Sequence, residues 1–487
     1  MSGTSGSGPD WLAEVTIAEL GEAMASGKTT SAGLVMAYLE RIARYDREGP
    51  CLNTVLEINP DAVQIAEAMD AERCTSGPRG PLHGIPVLVK DNIDTHDKMH
   101  TSAGSLALAD SYAPGDSFVA ARLRRAGAVI LGKANMTEWA NFMTRNMPAG
   151  YSSRGGQVLC PYGPGKFTCG GSSSGSGASV AANLVTVAIG TETSGSILSP
   201  ATSNSVVGIK PTVGLVSRRG IIPIMTSQDT AGPLARTVAD AATVLGAIAG
   251  VDDGDPATLS STGKDHRDYT QFLDKDALNG ARLGVPREAY AKLDEAHLAL
   301  MDSLIERLRS EGATVIDPVE MPEAKELTDN TAMLYEFKPA LNAYLSRLAP
   351  HVPVHTLREL IQFNARDPGR MLKYGQVLFT EADEKSGNLT DPEYIRARAR
   401  DVELSRARGM DRVMNSLSLD ALVVPGNLGA GVSARAGYPS VCVPGGYTPS
   451  GQPLGVTFTA PAYSEPVLIR LAYAFEQATK LRRPPDL

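Results

Sequence analysis

Hydrophobic and polar positions follow two rhythms along this chain, and each change of rhythm marks an element. Between residues 11 and 46 the apolar positions Leu34, Tyr38, Leu39, Ile42 and Tyr45 recur every three or four residues, which predicts one buried helix face. Thr30 or Ser31 is placed to cap that helix. A second helix is expected over Asp61 to Glu72. In PLHGIPVLVKDNID the texture changes: Gly84 and Pro86 punctuate a short, β-branched run, Ile85 to Val89, that reads as a buried strand ending at Lys90. Asp116 to Ala126 reads as helix, AVILG as another buried strand, and NMTEWANF as helix or loop. Residues 144 to 167, rich in Gly, Pro and Ser, read as a long functional loop.

Residues 168 to 200 carry the densest pattern. Two glycine–serine turns, GGSSSGS and ETSGSILSP, bracket a small-residue helix expected over Ala178 to Asn183 and an apolar run, Leu184 to Ile189. Gly/Ser tracts are usually flexible coil, but a linker would not run straight into patterned apolar sequence on both sides. SVVGIKPT and GLVSRRGIIPIM supply further apolar runs, and GPLARTVADAATVLGAIAG reads as a helix. Residues 255 to 275 read as an exposed polar connection, 278 to 287 restart the sheet pattern, and 288 to 415 look mainly helical. LDALVVPG and YPSVCVPGGY give late strands before a closing helix, Glu465 to Thr479. Apolar runs alternating with helices predict an α/β fold: a twisted parallel or mixed sheet covered by helices on both faces. No internal repeat or clean linker divides it, so one large domain is expected over residues 11 to 487.

Composition narrows the classes. The 487 residues are 43% hydrophobic, enough for a large core, and 48 Gly with 32 Pro fit many tight turns. Net charge is −8 with no basic stripe, which argues against nucleic acid as a partner. No run of about 18 apolar residues suggests a membrane span. MSGTSGSGPD lacks the basic and apolar regions of a signal peptide; residues 1 to 10 read as a disordered lead or an expression scar, and the protein as cytoplasmic. Five scattered cysteines do not make a disulfide framework. The histidine pairs His96/His100 and His351/His355 do not resemble a zinc motif, and no metal or cofactor is expected.

The two serine turns present hydroxyls and backbone N–H groups, the raw material of nucleophilic catalysis, but serine needs a base. None of the seven histidines stands in a nucleophile-and-base context. Lys90 ends an apolar strand, where two fates are open. Desolvation favours a neutral amine able to act as base, while a lysine so placed often snorkels its ammonium to the surface. Gly171 to Gly175 formally fits G-x-S-x-G, but the preceding PYGPGKFTCG is no strand. Ser261 to Lys264 fits S-x-x-K but lies in a loop pattern. Gly163 to Thr168 lacks the G-K-[ST] ending of a phosphate loop.

HGIPVLVKDNID, CGGSSSGSGASVAA, GTETSGSILSPATSNSVVGIKPTVGLVSRRGIIP and GPLARTVADAA resemble the amidase signature family, in that family's order. The resemblance is dense from about residue 80 to 250 and returns between 415 and 480 in AGYPSVCVPGGY and PLGVTFTAPAYSEPVLIRLAYAFEQAT. It implies a Ser–cis-Ser–Lys triad. The nucleophile falls on Ser196, the bridging serine, whose preceding peptide bond is cis in the family, on Ser172, and the base on Lys90. It implies an oxyanion hole from the backbone N–H groups of Thr193, Ser194 and Gly195, an acyl-enzyme, and no cofactor.

Within the family the chain is similar to the bacterial peptide amidases, through LNTVLEINPDA, SRGGQ, GTETSGS and the helical stretch holding YEFKPALNAYL, IQFN and LTDPEY. That stretch makes 288 to 415 a substrate-side segment. Ser194 stands where many members have Gly, and Leu198 where many have Arg. Without that Arg, recognition of a small acidic substrate loses its bidentate cation. The implied partner is a small-molecule or peptide amide, with no membrane and no nucleic acid, and the chain acting as monomer or homodimer. Competing readings are an aryl amide, carbamate or ester hydrolase, the amidase subunit of a tRNA-dependent amidotransferase, and a non-catalytic binding protein. Asn141, Thr144, Arg145 and Ser153 are candidates for the pocket mouth.

Overall fold

The N-terminal helical pattern breaks where the chain must turn. In the computed structural model, which describes residues 9–321 and 325–487, α1 (Ile17–Ala25) and α2 (Ser31–Arg41) replace the single expected helix. Gly27, at φ +74°, makes the break, and Thr30 caps α2 by accepting from Gly33 N–H. The expected lead, residues 1 to 10, lies outside the described residues except for Pro9 and Asp10, which begin a 3₁₀ turn, Pro9–Leu12. Strand β1 (Val55–Ile58), which the apolar pattern does not reveal, precedes α3 (Ala62–Ser76). Then come β2 (Pro86–Lys90), α4 (Phe118–Arg125) and β3 (Val129–Ala134), as the sequence pattern predicts. A two-stranded ribbon, β4 (Tyr151–Ser152) and β5 (Gly156–Gln157), sits in the long loop.

In the central stretch α5 spans Ser174–Ala181, four residues ahead of expectation. Its Ser and Gly residues are weak helix formers, but the fold requires them: a Cβ on Gly175 would lie 2.2 Å from Thr54 O. After β6 (Val187–Glu192), α6 (Leu198–Ser203) and β7 (Val207–Lys210), the segment read as one helix divides into β8 (Thr230–Ala235) and α7 (Val238–Ile248). Thr237 marks the division, its side chain capping α7 at Asp240 N–H. GLVSRRGIIPIM forms only isolated bridges. The connection over 255 to 275 is not wholly exposed, since Thr258, Ser261 and Tyr269 are buried.

The C-terminal half holds β9 (Arg282–Gly284), α8 (Glu295–Ser310) and a short edge strand, β10 (Thr314–Ile316), inside the segment read as helical. Helices α9 (Thr331–Leu345), α10 (Leu357–Asn364), α11 (Pro368–Met371), α12 (Val377–Asp383), α13 (Pro392–Ser405) and α14 (Asp411–Leu417) follow. The chain closes with β11 (Ala421–Pro425), α15 (Ala430–Ala436), β12 (Ser440–Tyr447), β13 (Pro453–Thr459) and α16 (Glu465–Thr479).

Eleven of the described strands form one mixed sheet in the order β1-β3-β2-β6-β8-β7-β12-β13-β11-β9-β10. β2 runs parallel to β3 and β6, and β9 parallel to β10 and β11; the other pairs are antiparallel. Helices α5 and α6 pack together on one face, while α7 packs against both α4 and α16 on the other. This is a single large α/β domain. A second apolar cluster, around Trp139, Phe142, Phe337 and Phe379, ties the helical segment to the loops after β3. The parallel strands β2 and β6 end side by side, and the site is built there.

Candidate active site

Lys90, the last residue of β2, is completely buried. Its Nζ lies 2.8 Å from Ser172 Oγ, 2.8 Å from Thr191 Oγ1 and 3.3 Å from Thr191 O. Loss of hydration lowers its pKa to about 7, with the nearby negative charges of Glu192 and Asp229 limiting the fall. The lysine therefore does not snorkel to the surface. A neutral amine offers two N–H groups and one lone pair, enough for Thr191 to accept twice and for Ser172 to donate its hydroxyl proton.

Ser172 is presented by the turn Gly170-Gly171-Ser172, and the Gly171–Ser172 peptide bond is cis. Gly170 is at φ +65°, and a Cβ there would lie 2.5 Å from Ser199 O, so only glycine fits. Thr137 N–H donates to Ser172 O at 3.1 Å. The neighbouring serines fasten α5 to β6 and to the turn. Ser173 Oγ donates to Thr191 O (3.1 Å) and accepts from Thr191 N–H (3.2 Å). Ser174 Oγ donates to Gly170 O (2.6 Å) and Ser176 Oγ to Ile189 O (3.0 Å). The tract that resembles a linker is a set of buried, bonded hydroxyls.

Ser196 lies on the turn between β6 and α6, and its carbonyl accepts from Ser173 N–H at 3.2 Å, which seats it against the Ser172 turn. Its side of the turn is nearly closed, with Ser196 9% exposed and Ser172 fully buried. Glu192 shapes this turn. Its buried carboxylate accepts from Gly195 N–H (2.7 Å), Ile197 N–H (2.7 Å) and Leu198 N–H (3.1 Å). That caps α6 and locks the backbone on both sides of Ser196. The three expected oxyanion donors are thus not equivalent. Among the described residues the N–H groups of Thr193 and Ser194 have no protein acceptor, while Gly195 N–H is committed to Glu192.

Thr193 is held from behind by the loop before β8. Its Oγ1 donates to Asp229 (2.5 Å) and its carbonyl accepts from Gln228 Nε2 (3.2 Å). Burial raises the Asp229 carboxyl to about 6 against the pull of its hydrogen bonds. Sequence reasoning did not single out Thr191, Glu192 or Asp229. Glu192 had a legible signal, a carboxylate at a strand end just before a small-residue turn and a helix; Asp229 had none.

A cavity of about 380 Å³ opens beside these groups, lined by Asn92, Thr191, Thr193, Ile222, Asp229 and Tyr344 among others. It reaches Lys90's partner Thr191 and the Thr193 turn; Ser172 and Ser196 do not line it. None of the four mouth candidates lines it either. Asn141 is exposed at φ +69°, and its neighbour Ala140 lines the cavity instead. Thr144 Oγ1 donates to Tyr374 O (3.1 Å), Arg145 pairs with Glu381, and Ser153 bonds Glu138, so these three brace the long loop. His100 Nδ1 is spent on the Glu57 carboxylate at 2.9 Å.

Comparison with known proteins agrees with this architecture. The sequence profile of the family named Amidase matches residues 33–435. A probable amidase of Arabidopsis thaliana is 44% identical, covering 97% of this chain and 92% of that protein. The native peptide amidase from Stenotrophomonas maltophilia has a similar structure, with a TM-score of 0.91 and 47% identity over 97% of this chain and 99% of that one. A glutamyl-tRNA(Gln) amidotransferase subunit of Azorhizobium caulinodans is 32% identical over 96% of this chain and 97% of its own length.

Proposed function

The chain belongs to the amidase family and is an amide hydrolase, and we propose that it deamidates C-terminal peptide amides or related carboxamides through an acyl-enzyme on Ser196. The single observation that carries the reading is the contact between the fully buried side chains of Lys90 and Ser172, Nζ to Oγ, with the lysine brought down to about 7. In this reading Lys90 takes the Ser172 proton while Ser172 takes that of Ser196. Ser196 Oγ forms a bond to the substrate carbonyl, and the Thr193 and Ser194 N–H groups stabilise the charge that develops on its oxygen. Gly195 N–H joins them only if it leaves Glu192. Collapse of the intermediate breaks the C–N bond, and the proton returns through Ser172 to the departing ammonia. Water then attacks the ester along the same relay and restores Ser196.

Two lines support a peptide amide over other carboxamides: the 47% identity to a peptide amidase across nearly the whole chain, and the helical segment that helps enclose the cavity. The test is ammonia release from a C-terminally amidated dipeptide by wild type, Ser196→Ala and Lys90→Ala. The expected outcome is release by wild type alone, with each variant down by at least ~1000-fold, since removing one member of a nucleophile–base unit disables the whole. Cleavage of an anilide, carbamate or ester but not of the peptide amide would leave the chemistry standing and overturn the substrate class. Turnover surviving in Ser196→Ala overturns the nucleophile.

A further inference from the structure

Helix α9 and the turn after it bring Ala340, Ala343, Tyr344 and Arg347 to the cavity beside the Thr193 turn. Their spacing, i, i+3, i+4 and i+7, is that of a single helix face. The two alanines leave room. Tyr344 is fixed, because its hydroxyl donates to the buried carboxylate of Asp94 at 2.7 Å. Arg347 lies over the Tyr344 ring, its guanidinium carbon 5.4 Å from the centroid, at the exposed edge of the cavity.

Three arginines line this cavity, and two are already neutralised. Arg218 bonds Asp255 through Nε at 2.8 Å and also reaches Thr226 O. Arg219 bonds Asp252 at 2.8 Å. The Arg347 guanidinium has no hydrogen-bond or ion-pair partner among the described residues; its backbone N–H donates to Tyr344 O at 3.2 Å, and the buried Asp94 carboxylate behind Tyr344 is the acidic group that feels its charge. At the opposite end the Asp229 carboxylate accepts from Thr193 Oγ1, Ile224 N–H and Met225 N–H. The cavity is therefore polarised, acidic where it meets the Thr193 turn and cationic at its mouth. Resting on the reading of the chain as a peptide amidase, we propose that Arg347 is a specificity residue that binds a carboxylate on the substrate, so that the enzyme prefers amides bearing an acidic side chain one or two residues from the scissile carboxamide. A planar guanidinium held against an aromatic ring is preorganised for bidentate carboxylate binding. The charge thus comes from the helical segment, not from position 198, where this chain has Leu.

The test compares kcat/KM for N-acetyl dipeptide amides carrying Asp or Glu with those carrying Asn or Gln, at the amidated residue and at the one before it. Wild type is expected to favour the acidic member at one position by about threefold to tenfold, the size of a bidentate charge-assisted contact that solvent partly screens. The ratio should fall toward one in Arg347→Ala, hold part of its value in Arg347→Lys, invert in Arg347→Glu, and shrink as ionic strength rises. A ratio is unaffected by a general loss of activity, so a structural role for Arg347 would leave it at the wild-type value and overturn the proposal. So would a wild type that favours the neutral member, or shows no preference, at both positions. Failure to release ammonia from any of these amides, acidic or neutral, would instead overturn the peptide-amidase reading.

Discussion

Lys90 titrates at about 7 because complete burial penalises its ammonium form more than Glu192 and Asp229 stabilise it. The proposed relay needs the neutral amine, which becomes the majority form above that value. The expected kcat/KM for an amide therefore rises about tenfold per pH unit below about 7 and levels off above it. Asp229→Asn removes a negative charge that holds the lysine up, so the midpoint should move to lower pH. A pH–rate profile flat from about 5 to 9 would show that Lys90 is not the titrating base. At this scale the sequence offered both fates of Lys90 and could not choose, because burial is decided by what packs over a strand end. The covering residues are Thr191 and the Ser172 turn, each about 80 to 100 positions away. Asp229 was illegible for the same reason: TSQDT carries no pattern until the loop folds against Thr193.

The turn from β6 to α6 is an element stabilised by one side chain. Two Glu192 oxygens serve three N–H groups, at Gly195, Ile197 and Leu198, and so fix the backbone on both sides of Ser196. In Glu192→Gln only one oxygen remains and an NH₂ group faces backbone donors, which strands at least one buried N–H at about 1–3 kcal/mol. The expected result is a kcat lower by roughly tenfold to a few hundredfold with KM little changed, partly recovered in Glu192→Asp. A purely structural role would lower the melting temperature without that split between kcat and KM, so both are measured on each variant. The element scale also shows where pattern reading works. Strands β2 and β3 and helix α16 were legible because burial, periodicity and punctuation agree there. α5 was misplaced because its Gly and Ser residues are chosen for close approach to Thr54 and β6, against their helix propensity. β8 was absorbed into α7 because both are apolar, and only the Thr237 cap separates them.

Over the whole molecule, the sequence pattern supports an α/β sheet covered on both faces, but strand order is invisible to it. β2 meets β6 across about 100 residues, and Arg482 meets Glu14 across 468. That last contact reaches the site. Arg482 places Nε and Nη2 on the Glu14 carboxylate at 2.8 and 2.7 Å, and Nη1 on Ser205 O at 2.7 Å and Tyr162 Oη at 3.1 Å. Its Nη2 also reaches Ala181 O, the last residue of α5, and Glu14 bonds Asn183 through both its N–H and its carboxylate. Glu14 and Arg482 thus grip the C-terminal end of the helix whose N-terminal end follows the Ser172 turn. Arg482→Ala leaves Glu14 without its cation and several carbonyls without a donor. Breaking a buried pair costs about 3–5 kcal/mol; because the Glu14 side chain is 33% exposed, a loss near the lower limit, about 3 kcal/mol, is expected in urea unfolding. If the clasp serves stability alone, kcat well below the unfolding transition stays within about twofold of wild type. A larger fall in kcat in fully folded Arg482→Ala would mean that the Glu14–Arg482 clasp also sets the position of α5, and with it the distance over which Ser172 would pass its proton in the proposed relay.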